Sequence, residues 1–150
     1  MSSVVSKFLG VVLVVVLLVL MLCNVMVADQ LQARRSIVAE VTNFVDEITD
    51  TGSLDDKKLS DLYLACNAYG PVCNVTVTRY TRQVNPRPDK PGEAYTTYAV
   101  SEDIYTWNQG DLCKVEVKEV GYTSLSYFLY VVTRLSLKPV DFALTGRIRT

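Results

Sequence analysis

One uncharged apolar run, Phe8 to Ala28 (FLGVVLVVVLLVLMLCNVMVA), constrains this 150-residue chain more than any other feature. Its 21 residues include only Asn24 as a strongly polar side chain. About 20 such residues cross the hydrocarbon core of a bilayer as a helix. A cleavable secretory leader is one competing reading. Leaders carry a basic start, an apolar stretch of roughly 7 to 15 residues and a small-x-small exit site. Lys7 supplies the first, but the run is too long, and Met26 fills one of the two small-residue positions that would end at Ala28. A buried helix of a small globular protein is the other reading, and it would keep a wet face that this run lacks. The run therefore reads as a retained membrane-spanning helix, residues 8–28, behind a short cytoplasmic tail, residues 1–7.

With Lys7 set aside, the remainder carries 14 Lys and Arg against 16 Asp and Glu. Nucleic-acid binding depends on clustered positive charge, so this balance argues against such a partner. About 120 residues form one domain with a core of its own. The chain contains no histidine, which removes the usual general base, the Ser-His-Asp arrangement and the commonest metal ligand. It also lacks a phosphate-cradling glycine loop, a nucleophile elbow and a C-x-x-C pair. Asp55, Asp56 and Asp61 suit a helix start, where the dipole favours acids, and Glu102-Asp103 suits a wet surface. We expect no enzymatic activity, no cofactor, no metal and no small-molecule substrate.

The apolar helix does not stop at the membrane. Leu31, Ile37, Val38, Val41, Phe44, Val45 and Ile48 recur at helical spacing, while Glu40, Asn43, Asp46 and Glu47 take the wet positions. This pattern predicts one helix from Phe8 to Thr49, with residues 29–52 an amphipathic continuation ended by Thr51-Gly52. The stripe must be buried against the chain's own sheet or against neighbouring subunits. Ser53 is expected to cap a second helix with Leu54, Leu59, Leu62, Tyr63 and Cys66 on its apolar face, stopping at Tyr69-Gly70-Pro71. The period then changes to two: Val72 to Tyr80 and Leu112 to Glu119 alternate as half-buried strands. Tyr95 to Val100 and Val140 to Ile148 are further strands, the last with a bulge at Gly146. Gln83 to Ala94, with three prolines, reads as a loop, and Ser101 to Gln109 as a helical turn. Tyr122 to Leu137 suits helix or strand equally, and its aromatic residues are expected in the core or, failing that, against a partner subunit. The fold class is α+β: a long N-terminal helix, transmembrane then amphipathic, a second short helix and a small, mainly antiparallel sheet, with residues 53–150 forming the domain outside the membrane.

Flanking charge does not orient the span, because Lys7 and the amino terminus on one side face Arg34 and Arg35 on the other. Cysteines tip the balance outward. Cys66 and Cys73 bracket the turn NAYGPV and are candidates for a disulfide, with Cys113 an alternative partner for either; disulfides persist in oxidising compartments. Buried thiols are the competing reading, and three cysteines outside the span leave at least one free.

The layout of short tail, unbroken apolar-to-amphipathic helix and small sheet resembles that of type IV pilin-like proteins. The stretch FVDEITDTGSLDDKKLSDLYLACNAYGPVCNVTVTRY (Phe44 to Tyr80) is similar to the TadE-like pseudopilins of tight-adherence (Flp-type) secretion systems in Gram-positive bacteria. Gly110-Asp111 ahead of a Val-x-Val strand and Thr145-Gly146 in the closing strand extend the likeness. The resemblance implies a pilin-like fold, partners that are other pilin-like subunits or assembly-platform proteins, and a place in the cell membrane or a surface filament. Processed pilins carry a glutamate five residues into the mature helix; here Gly10 is followed at that place by Val15, which implies an unprocessed, membrane-held subunit. The expected function is thus a structural, single-pass subunit that packs its long helix into a pilus or a pilus-assembly platform. The alternative is a membrane-tethered binding module displaying the Pro86–Pro91 loop or the tyrosine-rich segment.

Overall fold

The computed structural model describes residues 2–90, 92–121, 127–128, 130–131, 134 and 138–150. Helix α1 runs from Ser2 to Thr51. No glycine or proline follows Gly10 within it, so nothing interrupts its hydrogen-bond ladder, and its 50 residues span about 75 Å at 1.5 Å per residue. It ends where expected. Gly52 takes a positive φ of 61° and donates its N–H to the Ile48 carbonyl at 2.8 Å.

Helix α2 (Asp56–Asn67) turns back along the second half of α1. Its cap is Asp55, not Ser53: the Asp55 carboxylate accepts the Lys58 N–H at 2.7 Å, while Ser53 bridges instead to Thr106. A carboxylate satisfies an orphan donor and the helix dipole together, which explains why it displaces the serine. Four strands follow, β1 (Cys73–Pro86), β2 (Ala94–Ser101), β3 (Leu112–Glu119) and β4 (Asp141–Arg147). They form one antiparallel sheet in the order β2-β1-β3-β4. The chain is therefore α+β, as its periodicities require.

Alternation sets the two faces of the sheet. Register aligns Val77, Val115 and Leu144 in one row and Val75, Val117 and Phe142 in the next. These side chains, with Cys73 and Cys113, point at the helices and join Ile37, Val41, Val45, Ile48 and Leu62 in a single core. Thr76, Thr78, Lys114 and Glu116 lie on the opposite, uncovered face. The last strand needs no bulge at Gly146, because its register with β3 is continuous. Glycine serves closeness there: a Cβ would stand 2.5 Å from both Val45 Cγ1 and Thr49 Cγ2 on α1.

Two further expectations change. Residues 83–86 belong to β1, so the loop shrinks to 87–93 and a two-stranded ribbon continues past Tyr80 by six residues, about 20 Å. Residues 101–109 are not helical. Asp103 folds them into a tight turn, accepting the Tyr105 N–H at 2.8 Å and the Thr106 hydroxyl; such local bonds compete with helix formation. Within Tyr122 to Leu137, residues 127–128 and 130–131 are helical but exposed rather than in the core, because α1 and α2 already fill the apolar face of the sheet. Residues 122–126, 129, 132–133 and 135–137 lie outside the described set.

The close approach at Gly146 yields a direct test. Gly146→Ala should lower stability by about 1–3 kcal/mol, the usual cost of overpacking a filled core, read as a lower midpoint in denaturant titration of the detergent-solubilised chain. Ala143→Gly, on the uncovered face of the same strand, should cost under about 1 kcal/mol.

Candidate functional site

Among the described residues, the largest apolar surface left outside the domain's own packing is that of α1. From Val4 to Leu22 every side chain is exposed, including Phe8, Leu13, Leu17 and Leu20. No residue of its most apolar stretch is buried by the rest of the chain, and the helix is long and apolar enough to cross a membrane. Asn24 removes its own penalty by donating its Nδ2 hydrogen to the Leu20 carbonyl at 2.8 Å. Such a helix, with its peptide groups bonded internally and its apolar side chains uncovered, has the composition that an apolar solvent requires.

The amphipathic stripe divides into two parts. Ile37, Val41, Phe44, Val45 and Ile48 are buried against the sheet and α2. They serve the domain, so the choice between own sheet and neighbouring subunits falls to the sheet for these five. Leu31 and Val38 are left 47% and 39% exposed. They are seven residues apart, on one helix face, where the stripe emerges from the domain on its way to the apolar run.

The cysteines are all free thiols. The bridge expected between Cys66 and Cys73 is not formed, although the two are close enough for Cys73 to raise the Cys66 pKa. Hydrogen bonds close that turn instead. Asn67 accepts the Cys73 N–H at 2.8 Å, and its Nδ2 donates to the carbonyls of Tyr63 at 2.8 Å and Cys73 at 3.4 Å. Cys113 cannot serve as the alternative partner of Cys73. Cys73 stands opposite Glu119, so Cys113 lies six residues along β3, about 20 Å away, against the roughly 7 Å limit between bridged Cα atoms. Burial pushes the Cys113 thiol up to about 12. Burial, with Cys73 and Glu40 adding to it, pushes Cys66 up to about 11, and burial followed by the Glu119 charge also raises Cys73. These are protonated, unreactive thiols at neutral pH, and an outward orientation gains no support from them.

The strongest polar constellation was not foreseen. At the end of the sheet farthest from the apolar run of α1, Arg79 and Asp111 are both buried. Arg79 donates from Nε at 2.9 Å and from Nη2 at 2.7 Å to Oδ2 of Asp111, which also accepts the Asn108 N–H at 3.1 Å, while Oδ1 accepts the Arg82 N–H at 2.9 Å. The guanidinium lies over the Trp107 ring, 5.8 Å from its centroid. Burial alone would raise the Asp111 pKa, but the Arg82 amide, the Arg79 guanidinium and the Asn108 amide outweigh it and hold the carboxyl below its ordinary value. The signal lay in the alternation: Arg79 continues the inward row Cys73, Val75, Val77, and a charge on an apolar face demands a buried partner. The ion pair is buried and ties β1 to the loop that leads into β3. It is architecture rather than a reacting centre. Among the described residues no three His, Cys, Asp or Glu side chains converge on a cation position.

Comparison with protein-family models, curated proteins and solved structures gives no match.

Two measurements follow from these environments. Asp111→Ala should cost about 3–5 kcal/mol at pH 7, because it strands the Arg79 charge. A depressed folded-state pKa means that this contribution is present above the unfolded value near 3.9 and lost as pH falls through the folded one, so the gap between parent and variant in denaturant midpoints should narrow in acid. Cys66, Cys73 and Cys113 should resist iodoacetamide at pH 8 in the folded chain and react once it is unfolded. Their raised folded-state values place the linked stability below the unfolded pKa of about 8.5, with loss as pH climbs toward the folded values.

Proposed function

We propose that this chain is a membrane-anchored structural subunit of the pilin-like kind, similar to TadE-like pseudopilins, with the globular domain outside the cell. Its long helix packs into a pilus or a pilus-assembly platform. The observation that carries this reading is that one uninterrupted helix is both the membrane segment and the spine of the domain. A receptor domain can be tethered by any linker. A rigid continuation of 23 residues beyond Ala28 fixes the domain's height and azimuth relative to the bilayer, and regular lateral assembly of copies needs that fixed geometry. The stretch that resembles TadE-like pseudopilins, Phe44 to Tyr80, coincides with the end of α1, the Gly52 turn, α2 and the first half of β1.

The surfaces available to partners differ from those the stripe suggested. Five of its seven residues are spent on the domain core, so contacts with neighbouring helices fall to Leu31, Val38 and the apolar run below them. A second reading, the tethered binding module, draws on one observation. The ribbon of β1 and β2 extends past the sheet and exposes Val84, Tyr95 and Tyr98 on the way to the loop 87–93, at the end away from the membrane.

One pair of substitutions separates the two. Leu31→Glu with Val38→Glu should abolish higher-order assemblies of the full chain in its membrane, read by native electrophoresis and crosslinking, while far-ultraviolet circular dichroism and melting stay at parental values. Undiminished assembly in that variant would overturn the packing role assigned to these residues, and a chain that is monomeric before mutation would favour the binding module.

A further inference from the structure

We infer that the uncovered face of the sheet docks, through Arg82 and Arg147, on the acidic outer surface of α1 and α2 of a second copy standing beside it. This inference rests on the pilin-like reading, in which copies share one membrane with their long helices parallel. It adds to that reading a charged contact between globular domains and the direction in which copies follow one another.

The basic side is built at the end of the sheet away from the apolar run. Tyr80, Leu112 and Arg147 form one row across β1, β3 and β4 on the face turned from the helices, and Arg82 stands next along β1 on the same face. No helix or strand among the described residues packs on that face. Both guanidinium groups reach toward Gly110: Arg82 Nη1 lies 3.2 Å and Arg147 Nη2 3.6 Å from the point that a Gly110 Cβ would occupy. Like charges held this near each other repel, and among the described residues neither guanidinium has a carboxylate partner. Asp111 takes the backbone N–H of Arg82 and is otherwise engaged by Arg79 and Asn108. Over the whole face, Arg82, Lys114, Lys118 and Arg147 outnumber Glu116 and Asp141.

The acidic side lies on the opposite surface of the domain, at the same level. Residues 40–61 contain seven Asp and Glu against two Lys. Asp46 and Asp50 are exposed, one turn apart, on the side of α1 turned away from the buried Val41, Phe44, Val45 and Ile48. Asp61 joins them from α2, about one turn past Lys58, whose Nζ reaches Glu47 at 2.8 Å. The levels match because Gly146 abuts Val45 and Thr49, and the Arg149 N–H bonds to the Thr49 carbonyl at 2.9 Å. Arg147 therefore stands level with the turn of α1 that carries Asp46 and Asp50. Copies anchored by α1 in one membrane present both surfaces at that level. A two-fold pairing about the membrane normal would set Arg82 and Arg147 against their own images. Pairing opposite surfaces brings unlike charges together instead. Because the two patches differ, each copy keeps one free for the next, as in a ring or a filament.

Crosslinking of the full chain in its membrane tests this contact. In a Cys23→Ser background, Asn43→Cys and Thr145→Cys place one thiol on each surface, at exposed positions outside the charged groups; the remaining native thiols are buried and protonated at neutral pH. A short bismaleimide should link the double variant into a ladder of dimers, trimers and longer products, while either single variant stays monomeric. Arg82→Glu with Arg147→Glu should reduce the ladder at least about tenfold, with far-ultraviolet circular dichroism unchanged. Adding Asp46→Lys with Asp61→Lys should restore it by exchanging the charges. Dimers from Thr145→Cys alone would assign the sheet face to a two-fold contact and overturn the inference. An undiminished ladder after the arginine reversal, or a lost ladder that the charge exchange does not restore, would overturn it too. If assemblies on native electrophoresis survive the arginine reversal but not Leu31→Glu with Val38→Glu, the inference falls and the structural subunit stands; a monomeric parent removes both.

Discussion

A helix exposed and apolar on every side over one half and packed against protein over the other must serve two environments with one backbone. Helix α1 can do so because every peptide group between its ends is satisfied within the helix itself, so the ladder is indifferent to its surroundings. Only the side chains change. They are apolar on all sides to Ala28 and apolar on one side from Leu31 onward. The rest of the fold is arranged around that second half. The inward faces of β3 and β4 lie on it, α2 lies beside it over β1, and the glycine at position 146 lets sheet and helix approach until no methyl group fits between them.

The far end of the sheet is held by different means. There β1 leaves the core to become a ribbon, and apolar burial ends with it. Asp111 replaces that burial with a carboxylate that accepts bonds from Arg79, Arg82 and Asn108. A buried ion pair often stabilises no more than an apolar pair of the same shape would. Its value at this corner is directional: the bonds set the register at which β1, β3 and the turn at Asp103 meet, and Ile148 completes the corner, its carbonyl accepting the Gly110 N–H and its N–H donating to the Asp111 carbonyl.

What the sequence made legible follows from how strongly burial imprints on it. Strand Leu112–Glu119 was readable to the residue because Cys113, Val115 and Val117 are fully buried between polar neighbours. The course of α1 was readable because nothing in its sequence breaks a helix. Residues 83–86 were not, since a free ribbon buries neither face and leaves no alternation to detect, while nearby prolines imitate a loop. Asp103 and Ser101 imitate a helix start because the same side-chain bonds cap helices and close turns. The division of the stripe was hidden for another reason: Val38 and Val41 have the same chemistry, and only the level of the sheet's edge decides that one is half exposed and the other buried. Cys66 and Cys73 have the spacing of a loop-closing pair, but the carboxamide of Asn67, unremarkable in sequence, closes the loop.

The domain is polarised along the axis of α1. The end nearer the apolar run carries Arg34 and the exposed Val72 and Val120; the other end carries the ribbon and the ion-paired corner. A domain free to tumble on a flexible tether would have no use for such a distinction between ends, because every orientation would be sampled. A continuous helical spine makes the distinction meaningful, since it sets each level of the domain at a fixed distance along α1 from the apolar run. Continuity of the helix through residues 29–51 is accordingly what holds the two ends of the domain at fixed heights above the apolar run.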